Sequence, residues 1–471
     1  MKLQLRKPIL TGGIALSFGL WLWWNIRDTA MEIGELGLVG AIAIGGGFWW
    51  LKRQWQTKPS PLTISPFPNR EKIAAAIAQT RQNLDCLKAE TPHRDHTDLE
   101  RKCDRLPEGF NRQDLKIAIA GEKRSGKTCL QKMLADLAWE KVTWEESSSL
   151  SSKDGEKNQL QGVDGVLWLI TGDLTDSQHQ TLKELRSNYQ RVLLILNKSD
   201  RYSTEEREVI LQQLHQHIFG ILPPEDLLAI SAFPSPIKVR QHQADGGVKE
   251  WEELPPPDIQ ALRDRLDRLF ASEREQWIWG TLWRENQALQ QEIKTRLNEI
   301  RRDRALPIVE RYQWIAAAAA FANPVAALDL LATAAISAQM LVDLGEIYQQ
   351  KLSLQLGKET AGELGRLMVK LGIVELSSSA IAHFLKSNAI TYVAGGTLQG
   401  IGAAYLTRLA GLSLIEYFQD CAIVPTAETP LNWEQFTQKL KAVFAQNQRT
   451  EFLQHFAQGA IARLNPQTGV N

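Results

Sequence analysis

Cysteine is scarce in this chain: 471 residues carry four, at positions 86, 103, 129 and 421. No pair has the close spacing of a zinc or thiol-redox site, and so few scattered thiols exclude a disulfide-built fold and fit a reducing compartment. An excess of one charge is lacking too. Fifty-four basic side chains balance 54 acidic ones, which excludes nucleic acid as a bulk electrostatic partner. Charge of either sign is nearly absent from two apolar runs, residues 9–26 and 36–51, about 18 and 16 residues long. A secretory signal would explain the first run alone, but no small-x-small cleavage site follows it and a second run does.

The two runs predict a transmembrane helical hairpin within residues 1–58. Tryptophans 21, 23, 24, 49, 50 and 55 mark the ends of the runs, where an amphipathic ring favours a bilayer interface. Asp28, Glu32 and Glu35 lie in the link, whereas Lys2, Arg6, Lys7, Lys52, Arg53 and Lys58 lie outside it. The positive-inside rule then puts both flanks in the cytoplasm and predicts a multi-pass protein of an inner or thylakoid membrane, with lipid as a partner. Residues 59–111 follow as a Pro-rich linker and connector helices.

Residues 121–128 read G-E-K-R-S-G-K-T, a complete phosphate-binding loop. The alternating run 115–120 predicts a strand before it, and residues 129–139 predict a helix after it. Gly121, Ser125, Gly126 and Cys129 would wrap backbone N–H groups around a β-phosphate. Lys127 would reach the β- and γ-phosphates, and the Thr128 hydroxyl would hold Mg²⁺.

A second buried run, 191–196, is followed at once by Asn197-Lys198-Ser199-Asp200. Asp200 can accept two hydrogen bonds from the N1–H and N2 amine of guanine. Adenine lacks that donor pair and would leave the carboxylate unpaired. Lys198 would cover the ring, and Asn197 would tie this loop to the phosphate loop. A third strand-like run, 227–230, precedes Ser231-Ala232, placed to offer a backbone N–H to the guanine O6. In this order the motifs resemble an Era/TrmE-like GTPase domain over about residues 115–270. The resemblance implies an α/β P-loop G domain, with a mostly parallel sheet and helices on both faces, over residues 112–272. It also implies GTP/GDP and Mg²⁺ as cofactors.

Two switch elements of such domains are eroded. The space between Thr128 and the strand expected at 165–170 is too short for a first switch. Glu146 stands where a metal-side aspartate is expected, and Ser149 where a γ-phosphate-sensing glycine is expected. Loops that the γ-phosphate holds are what turn nucleotide state into a signal. Binding should therefore survive better than turnover, with GTP and GDP held alike and hydrolysis near background. No catalytic residue is assigned.

After residue 272 the pattern becomes helical. Helices are expected at 273–304, 308–322, 324–350, 359–387 and 389–418, making an all-α domain over 273–425. Two amphipathic helices, about 433–446 and 450–464, close the chain over 426–471. Charges recurring every few residues favour a packed bundle over further membrane spans. The stretches 311–315, 323–348 and 395–418 are similar to the uncharacterised helical domain that follows the G domain in membrane-associated, often cyanobacterial, GTPases. The resemblance implies a membrane-anchored guanine-nucleotide-binding protein with an unidentified protein partner. Two other classes compete: a nucleotide-stabilised membrane scaffold acting through its helices, and a dynamin-like membrane-remodelling GTPase that self-associates.

Overall fold

The computed structural model describes residues 67–447 apart from 138, 148–159, 161, 243–247, 323–325, 351, 388–394 and 424–430, together with Phe456. Two connector helices come first, α1 (Arg70–Glu90) and α2 (Thr97–Arg105). The Asn69 side chain caps α1 by accepting from Lys72 N at 3.0 Å.

Five parallel strands then form one sheet: β1 (Leu115–Gly121), β2 (Val142–Glu146), β3 (Gly165–Ile170), β4 (Arg191–Leu196) and β5 (Leu227–Ala229), in the order β2-β1-β3-β4-β5. Helices cover both faces, and the period-2 alternation of the strands sorts their side chains between two cores. Leu115, Ile117, Ile119, Leu167, Leu169, Leu193 and Ile195 pack with α3 (Lys127–Asp136) and α6 (Gln260–Ser272). Ala118, Ala120, Val166, Trp168, Ile170, Val192, Leu194 and Leu196 pack with α4 (Asp176–Ser187) and α5 (Thr204–Ile218). Capping boxes at Thr175/Gln178 and Ser203/Glu206 start α4 and α5. The chain leaves β1 toward β2 on one side and later returns to β3 on the other. The reversal opens a crevice beyond the carboxyl ends of β1 and β3, where ligands of open α/β sheets bind. A two-stranded hairpin, β6 (Ile237–His242) with β7 (Val248–Glu253), stands apart from this sheet and was not expected.

The helical region comprises α7 (Arg274–Ala322), α8 (Ala326–Ile347), α9 (Leu354–Lys370), α10 (Ile373–Ser387), α11 (Gly395–Asp420) and α12 (Trp433–Asn447). The helices expected at 273–304 and 308–322 are one 49-residue helix running through Pro307. Ala305 and Val309, on either side of the proline, are fully buried in the bundle core, and that packing outweighs the lost backbone hydrogen bond. The reverse happens at 359–387. There the chain breaks between α9 and α10 at Gly372, whose φ of 68° is a left-handed helix stop. The first half of α7 packs on α1 and α2 through Leu282, Leu289, Ile293 and Leu297, and the second half packs on α8 and α11.

The membrane part of the expected architecture is corrected. Among the described residues no helix is long and apolar enough to cross a membrane. The hairpin expected over 9–26 and 36–51 lies outside the described residues. The fold is a parallel-sheet domain followed by an all-helical region; the transmembrane hairpin and the multi-pass membrane localisation are withdrawn. Within the helical region the apolar side of α11 is buried by neighbouring helices and its Glu416 pairs with Arg302 at 2.8 Å, the packing of a bundle and not of a membrane span. The helix expected at 450–464 lies outside the described residues apart from Phe456.

Candidate functional site

A cavity of about 450 Å³ opens beyond the carboxyl end of β1. The phosphate loop forms its floor. Gly126 has a φ of 98° and stands at the start of α3. A Cβ there would overlap the Asn197 amide, so only glycine fits. No side chain caps this helix start, which leaves its first N–H groups open for an anion. Lys127 is nearly buried and donates to its own loop, to Gly121 O at 2.9 Å and Glu122 O at 3.1 Å. Ser125 Oγ is buried and without a partner among the described residues. A loop whose lysine rests on carbonyls and whose inner hydroxyl lacks a partner is one that a phosphate group would complete.

Asn197 joins three segments. Its Nδ2 donates to Ser125 O at 2.7 Å, and its Oδ1 accepts from Ala232 N at 3.0 Å. One buried amide thereby ties the phosphate loop to the end of β4 and to the segment after β5. Lys198, with a φ of 62°, donates from Nζ to Arg124 O at 2.5 Å and adds a second tie. Asp200 accepts from Ser231 Oγ at 2.5 Å and from Ser235 N at 3.0 Å. Partial burial pushes its carboxyl up, but those hydrogen bonds outweigh it and hold the group below the usual carboxylate range.

On the other wall, Thr128 Oγ1 donates to both oxygens of Glu146, at 2.9 and 3.2 Å. The register of β2 against β1, with Ile119 opposite Glu146, carries the carboxylate there. A hydroxyl and a carboxylate side by side are hard oxygen donors of the kind Mg²⁺ takes. No group of three or more His, Cys, Asp or Glu residues suited to a metal occurs among the described residues.

Of the residues singled out in the sequence, Ser125, Gly126, Lys127, Thr128, Cys129, Asn197, Lys198 and Ala232 line this cavity. Gly121 is buried at the base of the loop, while Asp200, which is exposed, and Ser231, which is buried, do not line the cavity. Ser149 lies outside the described residues. Sequence reasoning missed Arg124, Arg201 and Phe233, all of which line the cavity. Arg124 was in plain view inside G-E-K-R-S-G-K-T; Phe233 carried no signal beyond following Ser231-Ala232.

Residues 284–449 match a domain of unknown function, DUF697. This is about a third of the chain and includes none of the phosphate loop, so the match gives the helical region a relative and not an activity. No curated protein matches the chain. Among solved structures, two similar chains are described as an oligomerised bacterial dynamin pair that provides a mechanism for long-range sensing and tethering of membranes. One is 13% identical, covers 82% of this chain and 79% of its own, and has a TM-score of 0.25. The other is 14% identical, with coverage of 84% and 80% and a TM-score of 0.24. A third, LeoA, is a bacterial dynamin GTPase from ETEC, 11% identical, with coverage of 83% and 94% and a TM-score of 0.24. Likeness at this level carries no assignment of function. Among the described residues no helix is long and apolar enough to cross a membrane. The reading as a membrane-anchored Era-like GTPase is therefore withdrawn.

Proposed function

We propose that this chain binds guanine nucleotides in the cavity beyond β1 and acts through its helical region. The observation that carries the reading is the double hydrogen bond of Asn197. It fixes the phosphate loop and the base-side loops relative to one another before any ligand arrives, so little ordering remains to oppose binding. The loop amides and Lys127 hold the phosphates, and Asp200, already charged, turns its oxygens from Ser231 and Ser235 to accept from the base. Thr128 and Glu146 would hold Mg²⁺, which when bound neutralises charge on the phosphate oxygens. Glu146 is a longer carboxylate than the aspartate expected there and touches Thr128 directly, and no first switch intervenes. Both features support binding with slow turnover.

The test is calorimetric titration of the purified chain with GDP, GTP and ATP in the presence of Mg²⁺. GDP and GTP should bind and ATP should bind at least about tenfold more weakly. Equal affinity for ATP and GTP would sink the guanine reading, and hydrolysis of several GTP per minute without a partner would sink slow turnover.

One observation favours a second reading, a dynamin-type protein whose nucleotide state controls self-association. The connector helices before the sheet domain and the helix after it pack on each other through Leu84, Leu87, Leu289 and Ile293. The sheet domain is thus seated on a rod built from both of its ends, and nucleotide-dependent strain at its base has a direct route into the helices. Light scattering of the chain with and without a non-hydrolysable GTP analogue separates the two readings, since only the second requires a change in mass.

A further inference from the structure

We propose that Arg124 is the group that reads the terminal phosphate, giving the site its preference for a nucleoside triphosphate over a diphosphate. The inference rests on the guanine-nucleotide reading and deepens it. Arg124 sits at the tip of the phosphate loop and lines the cavity. Its φ of 65° lies in the left-handed region, uncommon for a residue other than glycine and held here by surrounding contacts. The imposing contacts are on the base side. Lys198 Nζ holds the Arg124 carbonyl at 2.5 Å, and Asn197 Nδ2 holds the next carbonyl at 2.7 Å. The backbone of Arg124 is thereby set by the loop that would receive the base, while its guanidinium is exposed and has no hydrogen bond or ion pair among the described residues.

Charge says what this free cation is for. The amides that open α3 serve the β-phosphate, and Lys127 spans the β- and γ-phosphates. The terminal phosphate carries the most charge, and among the described residues neither a first switch nor a sensing glycine meets it. Glu146 adds a further negative group at the metal end of the cavity, beside Thr128. Mg²⁺ held by Thr128 and Glu146 would offset part of that charge, and a planar guanidinium can add two parallel hydrogen bonds to the terminal phosphate. Arg201, the other arginine on the cavity wall, directly follows Asp200 and so belongs to the base side. This revises the sequence expectation that GTP and GDP are held alike. That expectation followed from the eroded switches, whereas Arg124 belongs to the phosphate loop and needs neither.

The test is titration of the full chain with GDP and with a non-hydrolysable GTP analogue, both with Mg²⁺. The unsubstituted protein should favour the analogue by about tenfold or more, the worth of a charged hydrogen-bonded contact. Arg124→Ala should bring that ratio close to one while GDP affinity changes by less than about threefold. Arg124→Gly should do the same. Glycine adopts the positive φ without strain, so a loss there does not come from misfolding. Arg124→Lys should recover only part of the ratio. An unchanged ratio in the alanine and glycine variants, or an unsubstituted protein that binds both ligands equally, overturns the proposal while leaving guanine binding intact. Failure to bind either nucleotide overturns both.

Discussion

At the scale of single residues, the chemistry of the site rests on groups whose charge is settled in advance. Asp200 is held ionised by the Ser231 hydroxyl and the Ser235 N–H. A carboxyl held low keeps its contribution above its ordinary value and loses it only as pH falls through the lowered one. The ratio of GDP to ADP affinity should therefore stay flat from pH 7 to pH 5, as read by calorimetry, since protonation of the terminal phosphate at about pH 6 affects both ligands alike; a decline of that ratio centred above pH 5 would show Asp200 is not held low. Asp200→Asn replaces one acceptor oxygen by a donor, so preference should move from guanine toward xanthine nucleotides by about tenfold or more, measured by competition between GDP and XDP. The residues of G-E-K-R-S-G-K-T and N-K-S-D were legible in the sequence because each motif is a short contiguous segment whose spacing the chemistry dictates. The fully buried Asp164 was not. It accepts from Lys116 N at 2.8 Å and Thr281 Oγ1 at 2.6 Å and pairs with Arg112, and partners so far apart in the chain leave no local pattern.

At the scale of elements, the seam between the sheet domain and the helical region runs along β3 and α7. Gly165 opens β3, and a Cβ there would overlap the ring of Trp277, which is fully buried near the root of α7. Gly165→Ala should destabilise the chain by about 1–3 kcal/mol through overpacking, measured by urea unfolding. Unchanged stability would mean the indole has room to retreat. Strands β1, β3, β4 and β5 were legible because buried strands read as apolar runs between polar turns, whereas β2, with no buried residue, was not. Helix ends were less so. Pro307 and Gly372 are both breakers by local propensity, yet only Gly372 breaks a helix, since the buried Ala305 and Val309 hold α7 together across the proline. Propensity is local, and the packing that overrides it is formed by α11, about a hundred residues further along.

At the scale of the molecule, the helical region is a bundle whose polar groups sit deep. Burial pushes the phenols of Tyr348 and Tyr405 up to about 12. A phenol raised in the folded state stabilises the fold below its unfolded value near 10 and loses that contribution as pH rises to the folded one. Stability to urea should thus fall between pH 10 and pH 12, and tyrosinate absorbance from these two residues should appear together with the loss of helical circular dichroism. Phenolate signal from all tyrosines with the helices intact would show that the bundle does not shield them. The long helix α7 links this bundle to the amino end of β3, across the sheet from the cavity, and its length has a mechanical consequence. Its 49 residues extend about 73 Å at 1.5 Å per residue. A tilt of roughly 5° at the root, beside Gly165, would swing the far end through about 6 Å. A small rotation of the sheet domain at one end would thereby be multiplied into a displacement about as large as a helix radius at the other, with α7 as the pointer of a gauge whose needle is read in the bundle.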